Sequence, residues 1–528
     1  MPIIINQISS SLNAGEEEIT EKALNYAHID KRRTLKCKIH KTSLDARKQN
    51  DIHFVHSVYA ELDNPELEKR LCEKNKNLTY VSNSEFKPVI SNKKQEGRIV
   101  ITGFGPAGMF CGLVLAEYGY KPLILERGEN VDKRTETVNK FWYSGDLNEN
   151  SNVQFGEGGA GPFSDGKLTT RIKDPLCRYV LERFAEFGAP EEIITKSKPH
   201  VGTDNLRKIV KGIRERILSL GGEIRFEDRL TNFTQKDNKI DKIYFESGEQ
   251  KTSALVLAIG HSARDTFELL ERKGIFLEPK PFSVGARIEH KQYAVEESLY
   301  GKQAGNPLLP KGEYQLSYRD KSGRGVYTFC MCPGGTVVPS ASESGGVVTN
   351  GMSEFARDGE NANAALVVGV TPDDFGKKPL DGVNFARTIE RNAFNATGSY
   401  KACGTTVKGF LDGKPTLKGG INPTYSLGLE AVDFRKIFPE FVTDMMETGL
   451  RKFTAKMKCF GDGSAMLTAP ETRTSSPVRI TRNPDTMTSL SCDNLYPCGE
   501  GAGYAGGIMS AAVDGIRTAL KIMENIAP

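Results

Sequence analysis

The stretch that decides the fold is Arg98-Ile-Val-Ile-Thr-Gly-Phe-Gly-Pro-Ala-Gly108, followed by an apolar run that leads to Glu126. Arg98–Thr102 predicts a short buried strand, and the glycines after it predict a sharp turn. Met109–Tyr118 carries apolar residues at helical spacing, and Lys121–Leu125 predicts a second strand. Strand, turn, helix and strand together predict one βαβ unit.

The three glycines of this turn stand where a pyrophosphate-binding turn needs them. Gly103 allows the bend, Gly105 lets the backbone approach a ligand, and Gly108 lets the helix pack on the strand. The helix N-terminus offers free N–H groups and about half a positive charge to phosphates. Glu126 ends the second strand, where a carboxylate can accept both ribose hydroxyls and disfavours a 2′-phosphorylated ribose. The pattern predicts a dinucleotide site.

Two further segments have a related pattern. Asn494–Arg517 predicts a strand, a glycine-rich turn and a helix that begins near Gly507. Thr252–His261 predicts an apolar strand that ends in glycine at Gly260. After Glu126 the chain does not continue with further βαβ units, which argues against a simple nicotinamide dehydrogenase.

Length and composition limit the class of protein. The 528 residues predict two or three domains. No apolar run approaches the roughly 18 residues of a spanning helix, so a soluble protein is expected, with the cytoplasm as its location. The 71 basic residues against 67 acidic ones give a net charge of only +4, which implies no polyanionic partner. Ten scattered cysteines predict reduced, packed thiols and no metal site.

The first 95 residues predict a separate unit in the order βαββαβ, a ferredoxin-like α/β arrangement. A polar linker, Ser82–Gly97, follows it. The basic tract Lys31–Lys41 has two interpretations, a solvated strand face or a recruitment surface beside Ser43-Leu-Asp-Ala-Arg47. Nucleic acid is therefore an unlikely partner that is kept as an alternative.

A fingerprint near the start and a distant glycine-rich closing segment resemble the FAD-containing oxidoreductases of the glutathione-reductase type. More closely, the chain resembles the bacterial FAD-dependent, or NAD(FAD)-utilising, dehydrogenase family, and more distantly the geranylgeranyl-reductase-like flavoproteins. Seven ordered segments carry the closer resemblance: Ser43–Arg47, Gly103–Gly108, Phe155–Leu168, Gly260–Asp265, Cys330–Gly335, Glu471–Ile480 and Gly499–Gly507.

The resemblance implies an α/β fold of three parts. These are the N-terminal ferredoxin-like domain (1–95), a Rossmann-like FAD-binding domain of the glutathione-reductase type in two pieces (98–275 and 480–528), and an inserted mixed α/β substrate domain (276–479). It places Glu500 near the ribityl chain and phosphates, and the helix start at Gly506–Ile508 near the flavin pyrimidine edge. The predicted cofactor-binding residues are Gly103, Gly105, Pro106, Ala107, Gly108, Glu126, Arg127, Gly158, Gly159, Lys167, Gly260, Gly499, Glu500, Gly506, Gly507 and Ile508.

The catalytic residues are less constrained by the sequence, and three are candidates. Cys332, with Cys330, could form a redox dithiol, supply one useful thiol at the flavin, or belong to a plain structural turn. Arg473 could hold an anionic or carbonyl-bearing substrate, border the flavin ring, or pair with Glu471 alone. His261 could donate a proton during reduction, or hydrogen-bond locally.

These observations predict an FAD-dependent oxidoreductase that transfers a hydride or two electrons through flavin N5 to or from a small organic substrate. With one complete fingerprint, the electron donor would be NADH or NADPH docking transiently, or a redox protein partner. Two alternatives stay open: a flavin-dependent factor that modifies nucleic acid or protein, recruited by the N-terminal domain, and a non-catalytic flavin redox sensor.

Overall fold

The computed structural model describes residues 2–81 and 87–528. Its N-terminal unit contains β1 (Ile3–Ser10), α1 (Glu16–Tyr26), β2 (Thr34–Asp45), β3 (His53–Leu62), α2 (Pro65–Lys74) and β4 (Leu78–Tyr80). The antiparallel sheet has the order β2-β3-β1-β4. This element order is the one expected from the sequence. The first five residues of the predicted linker, 82–86, lie outside the described residues.

The dinucleotide fingerprint lies in the next unit, which combines two distant parts of the chain. Its elements are β5 (Arg98–Thr102), α3 (Pro106–Glu117), β6 (Leu123–Leu125), α4 (Val131–Ser144), α5 (Leu176–Glu186), α6 (Gly202–Ser219), β7 (Glu223–Arg225), β8 (Leu230–Lys236), β9 (Lys239–Phe245), β10 (Gly248–Leu257), α7 (Arg264–Arg272) and, from the far end of the chain, β22 (Leu495–Pro497) and α13 (Ile508–Asn525).

Five parallel strands form the central part of this sheet, in the order β7-β6-β5-β10-β22. The first half of β10 also pairs antiparallel with β9, which pairs with β8. Helix α3 is buried on nearly all sides, as its uniformly apolar sequence requires. It begins at Pro106, three residues before the predicted start, because Gly105 is the N-cap and proline suits the first helical position.

The third unit has its own seven-stranded sheet. Its elements are β11 (Leu277–Pro279), β12 (Phe282–Lys291), α8 (Gln292–Tyr300), β13 (Ser317–Arg319), β14 (Gly325–Cys332), β15 (Thr336–Pro339), β16 (Thr349–Met352), β17 (Asn361–Val370), α9 (Pro372–Phe375), α10 (Asp381–Thr397), β18 (Ala402–Thr406), α11 (Val407–Leu411), β19 (Leu429–Ala431), α12 (Glu440–Thr454), β20 (Met466–Glu471) and β21 (Val478–Ile480). The sheet order is β13-β14-β17-β12-β20-β18-β19.

The chain enters and leaves this third unit through two strands that pair with each other. β11 and β21 form a two-stranded antiparallel ribbon, with Leu277 opposite Ile480 and Pro279 opposite Val478. The strand after Pro477 therefore pairs with β11 and does not join the parallel sheet. The ribbon brackets the segment that forms the seven-stranded sheet, so the whole protein is a mixed α/β structure with several sheets.

Candidate functional site

The turn between β5 and α3 is packed so closely that two of its glycines cannot be replaced without movement. Gly103 has φ +95°, and a Cβ there would lie 2.3 Å from the Ala258 carbonyl oxygen. A Cβ on Gly108 would lie 2.0 Å from the Gly103 carbonyl oxygen. Gly105 differs, because a Cβ there would lie an ordinary 3.6 Å from the Cα of Gly159. Gly103 and Gly108 therefore serve close packing, whereas Gly105 borders the open space beside the turn.

The Glu126 carboxylate is buried and holds three backbone groups. Its Oε2 accepts from the Phe104 N–H at 2.8 Å, and its Oε1 accepts from the N–H groups of Gly128 and Gly156, each at 3.0 Å. A carboxylate has about four acceptor sites. Three are occupied, so about one acceptor site is left for a ligand. Two ribose hydroxyls would need two such sites.

Residues 151–168 form a loop against this turn, and a buried arginine organises it. The Arg134 guanidinium donates to three loop carbonyls, those of Asn152, Val153 and Glu157, at 2.9, 3.0 and 2.7 Å. The Gly158 N–H donates to the Phe104 carbonyl at 2.8 Å. The loop is therefore fixed to the fingerprint.

The C-terminal glycine-rich segment contacts both of the other turns. A Cβ on Gly499 would lie 2.7 Å from the Cβ of Ala107, and one on Gly501 would lie 2.5 Å from the Gly260 carbonyl oxygen. The Asp514 carboxylate accepts from the Gly499 N–H at 2.7 Å and pairs with Arg482 at 2.7 Å. The N-termini of α3 and α13 consequently open on the same space.

That space is one cavity of about 1410 Å³. It runs from the β5–α3 turn, along the 154–167 loop and residues 258–263, to the start of α13, and it reaches β13 and β14 of the seven-stranded sheet. Of the residues predicted from the sequence, the following line it: Gly103, Gly105, Pro106, Ala107, Glu126, Arg127, Gly159, Lys167, Gly260, His261, Glu500, Gly506, Gly507 and Ile508.

Five predicted residues do not line the cavity: Gly108, Gly158, Gly499, Cys332 and Arg473. The first three lie in its turns, where their small size serves packing. Cys332 is buried on β14, while its neighbour Cys330 lines the wall.

Arg473 lies in a buried ion cluster instead of on a substrate surface. Its guanidinium pairs with Glu390 at 2.9 Å, and Arg264 pairs with the same carboxylate at 2.8 Å. Glu471, the neighbour expected to pair with Arg473, pairs with the buried Arg287 at 2.9 Å. The Glu471–Arg473 pair, one of the interpretations open from the sequence, does not form, because each side chain meets a partner from a distant element.

Glu500 and His261 are among the cavity side chains whose pKa values are strongly displaced. Burial raises the pKa of Glu500 to about 7, although Lys280 opposes the shift. Burial, helped by Arg473 and Arg264, lowers the pKa of His261 to about 3. The imidazole is therefore neutral near pH 7, and the 3.9 Å between its Nδ1 and Glu500 Oε1 is no ion pair there. This does not support an imidazolium as proton donor.

Sequence reasoning missed several residues of the site. Arg134 was not singled out, and neither was the buried pair of Asp165 with Arg357, next to Lys167. The sequence around an arginine in an amphipathic helix does not show whether that arginine is buried. The only available signal was the unusually polar and glycine-rich loop that these residues hold.

Three of the six lysines and arginines in the basic tract of the N-terminal unit pair with carboxylates. Lys31, Arg32 and Arg33 lie 3.6, 2.7 and 3.2 Å from the carboxylates of Glu17, Asp30 and Asp63. Across the described ranges, no group of three or more His, Cys, Asp or Glu side chains could hold a metal ion. No helix in that same part of the chain has both the length and the apolar character to cross a membrane.

Comparison with known proteins gives two family matches and a relative of nearly full length. Residues 281–474 match a family described as "FAD-dependent protein, C-terminal domain-like", and residues 1–61 match a domain of unknown function. A Clostridium beijerinckii protein, described as an uncharacterized protein, is 47% identical over 531 residues, which is 99% of each chain.

Two solved structures show slighter similarity. Glycine oxidase from Bacillus cereus is 11% identical, with a TM-score of 0.33 over 81% of this chain and 95% of its own. L-amino acid deaminase from Proteus myxofaciens is also 11% identical, with a TM-score of 0.35 over 84% of this chain and 94% of its own. At these TM-scores the similarity establishes neither an activity nor a ligand for this chain.

Proposed function

We propose that this chain, which belongs to one family with the Clostridium beijerinckii protein, is an FAD-dependent oxidoreductase that moves two electrons between FAD and a small organic substrate. The observation that carries the proposal is the single cavity lined by glycine-rich segments from opposite ends of the chain. The match of residues 281–474 to FAD-dependent proteins supports it. In this proposal 98–275 and 480–528 bind FAD, and 276–479 form the substrate side.

The cavity fits an extended dinucleotide. Its volume exceeds the roughly 300–1,000 Å³ that suits drug-sized ligands, so it has room for FAD and a substrate. A Cβ on Gly506 or Gly507 would meet nothing within 4 Å, so these residues leave open space at the start of α13. The acceptor site left on Glu126 suits one ribose hydroxyl.

The chain's own groups match the charge of such a ligand. Free N–H groups at the start of α3, after Gly105, would bind the pyrophosphate, because a helix N-terminus carries partial positive charge. Those at the start of α13, after Gly507, would stabilise negative charge that develops on a reduced ring. FAD, when bound, supplies two-electron chemistry through its ring N5.

Glu500 is the general acid or base of the proposed site. Because its pKa lies at about 7, its carboxyl is partly protonated at neutral pH. Such a group can give or take a proton at the operating pH, as general acid–base catalysis requires. His261 would contribute a neutral imidazole, whose buried Nε2 has no hydrogen-bond partner among the described residues.

The substrate would lie at the end of the cavity formed by β13 and β14. Tyr318, Tyr327 and Phe329 line that end, together with Arg319 and with Lys198, which pairs with Glu313 at 2.6 Å. Aromatic rings beside the Arg319 guanidinium suit a flat organic molecule that carries negative charge. The proposed electron donor is NADH, NADPH or a redox protein.

The test is to identify and count what the purified chain binds. Flavin released by denaturation is separated by liquid chromatography against FAD and FMN standards, and protein is quantified by amino-acid analysis. One FAD per chain is expected, followed by loss of the oxidised flavin spectrum during anaerobic addition of a donor. A chain that takes up no FAD when FAD is supplied in excess would overturn the proposal.

A further inference from the structure

Two cysteines lie together where β14 meets the cavity. Cys330 lines the cavity wall, and Cys332 is buried behind it. The Cys332 thiol donates a hydrogen bond to the Cys330 carbonyl oxygen at 3.4 Å, and the two thiols are close enough for each to shift the pKa of the other. Cys330 is therefore the cysteine of the pair that borders the cavity, and Cys332 lies behind it.

The backbone of β14 is irregular at these two cysteines. In a regular strand the Cα atoms of residues two apart lie about 6.6 Å apart, near the upper limit of the roughly 4.4–6.8 Å that separates the Cα atoms of a disulfide. Here the register of β14 against β17 shifts between Phe329 and Cys332. Cys330 has φ +43°, a region that few residues other than glycine adopt. Such bulges and strained positions cluster at functional sites.

Charged groups surround the cavity-facing thiol. Arg287 donates to the Cys330 carbonyl at 2.8 Å, and Lys167 donates to the Met331 carbonyl. The neighbouring Cys332 thiol lowers the pKa of Cys330 most, and Arg287 and Lys167 lower it further. Burial and Asp165 oppose this shift. The pKa of Cys332 is raised, so Cys330 is the thiol of the pair that ionises first.

The carboxylates near the pair do not remove this asymmetry. Glu471 faces the thiols but is neutralised by its buried ion pair with Arg287 at 2.9 Å. Glu500 also faces Cys330 across the cavity, and the negative charge at Cys330 adds to the rise of its pKa. Ionised Cys330 and protonated Glu500 are thus mutually compatible at neutral pH.

We propose that Cys330 and Cys332 are a redox-active dithiol that exchanges two electrons with FAD bound in the cavity, a step that rests on the proposed function above. The Cys332 S–H bond breaks and an Sγ–Sγ bond forms between the two residues. The thiolate and thiol together give up two electrons and one proton, which convert oxidised FAD to its two-electron-reduced anion. Reversal of the same step restores the dithiol.

The first test uses the wild-type chain and needs no flavin. Full-length protein is equilibrated anaerobically in graded mixtures of reduced and oxidised dithiothreitol, free thiols are trapped, and the peptide containing β14 is analysed by mass spectrometry. We expect a Cys330–Cys332 disulfide that forms and disappears as one two-electron couple. Absence of this disulfide at every ratio would overturn the proposal.

The pH profile of alkylation tests the thiolate separately. Iodoacetamide should modify Cys330 with a midpoint below about pH 7.5, as for thiols beside cationic groups. Cys177 is a matched control, since it is partly exposed, lies outside the cavity and has a pKa raised by burial. Its rate should still rise through pH 8. Equal profiles at the two sites would contradict the assigned asymmetry.

The second test addresses electron exchange. Anaerobic dithionite titration of FAD-loaded wild type should consume four electrons per chain, two for the flavin and two for the disulfide, and Cys332→Ser and Cys332→Ala should each consume two. Cys177→Ser should behave as wild type. Wild type that consumes two electrons would overturn the exchange. A chain that forms the disulfide but takes up no FAD would instead overturn the proposed function, together with the step that depends on it.

Discussion

Gly515 of α13 lies so close to Ala107 of α3 that a Cβ on Gly515 would stand 2.1 Å from the Ala107 carbonyl oxygen. The helices that begin at the two ends of the cavity therefore touch through their backbones. Both are core elements, and the residues around the contact are buried. This contact fixes the distance between the two helix N-termini.

The first prediction concerns this contact. Gly515→Ala should lower the midpoint of thermal unfolding, because overpacking a close helix contact costs about 1–3 kcal/mol. It should also weaken FAD retention, since α13 must move away from α3. Lys521→Ala, at a partly exposed position on the same helix, should change stability by less than about 0.5 kcal/mol. Indistinguishable unfolding of Gly515→Ala and wild type would refute the contact.

The second prediction concerns the space beside Gly105. Gly105→Val should leave the fold intact, because its φ of −79° and ψ of −176° suit valine and a Cβ there has only ordinary contacts. The added methyl groups should abolish FAD retention by blocking the backbone at the start of α3. Flavin content after purification, together with the circular dichroism spectrum, measures both effects.

Gly248→Val is the matched control for this variant. A Cβ on Gly248 would lie 3.6 Å from the Phe245 ring, the same distance as the nearest contact at Gly105, but Gly248 lies outside the cavity. It should keep its full FAD content. If Gly105→Val also keeps full occupancy, the pyrophosphate does not bind at this turn.

The third prediction concerns pH and Glu500. Its folded-state pKa of about 7 lies above the ordinary 4.5, so the folded protein binds this proton more tightly than the unfolded chain. The stability it contributes is fully present below about pH 4.5 and is lost as the pH rises through about 7. Glu500→Gln should remove that loss in the FAD-free protein.

Thermal unfolding between pH 5 and 8 measures this effect. Glu500→Gln should match wild type most closely at the acid end and exceed its stability at pH 8, by about 1–3 kcal/mol at most. Since the side chain is 26% exposed, the lower end of that range is expected. The exposed control Glu524→Gln should follow wild type throughout. If the difference in stability between Glu500→Gln and wild type does not change between pH 5 and 8, the Glu500 carboxyl does not titrate in that range.

The fourth prediction concerns the buried ion cluster around Glu390. Glu390→Gln leaves the guanidinium groups of Arg264 and Arg473 without their shared anion, and breaking a buried pair in this way costs about 3–5 kcal/mol. Glu447→Gln breaks partly exposed pairs with Arg451 and Arg435 and should cost less than about 1 kcal/mol. Thermal unfolding of the two variants compares the stability lost in each. Equal effects would mean that the cluster is not buried in solution.

The sequence predicted those features that depend on local pattern. Arg98–Thr102 is a strand with the predicted limits, because a short apolar run before a glycine turn has few other stable structures. The turn at the start of α13 was located in the same way. Both depend on neighbours in the chain.

Features that depend on distant partners could not be predicted. The spacing of Glu471 and Arg473 suggested a pair, but β12 supplies Arg287 to the first and α10 supplies Glu390 to the second. Likewise, nothing in Cys-Met-Cys shows that Cys330, and not Cys332, faces the cavity. The three helices of residues 131–219 were not predicted, because their amphipathic sequences carry no glycine motif and their positions depend on packing against distant parts of the chain.

A crystal structure of the protein grown with FAD is the most direct test of the central claim, that the two ends of the chain bind one cofactor together. We expect one FAD whose pyrophosphate lies at the start of α3 and whose ring lies at the start of α13. Density for FAD elsewhere, or in contact with only one of the two glycine-rich segments, would contradict that claim.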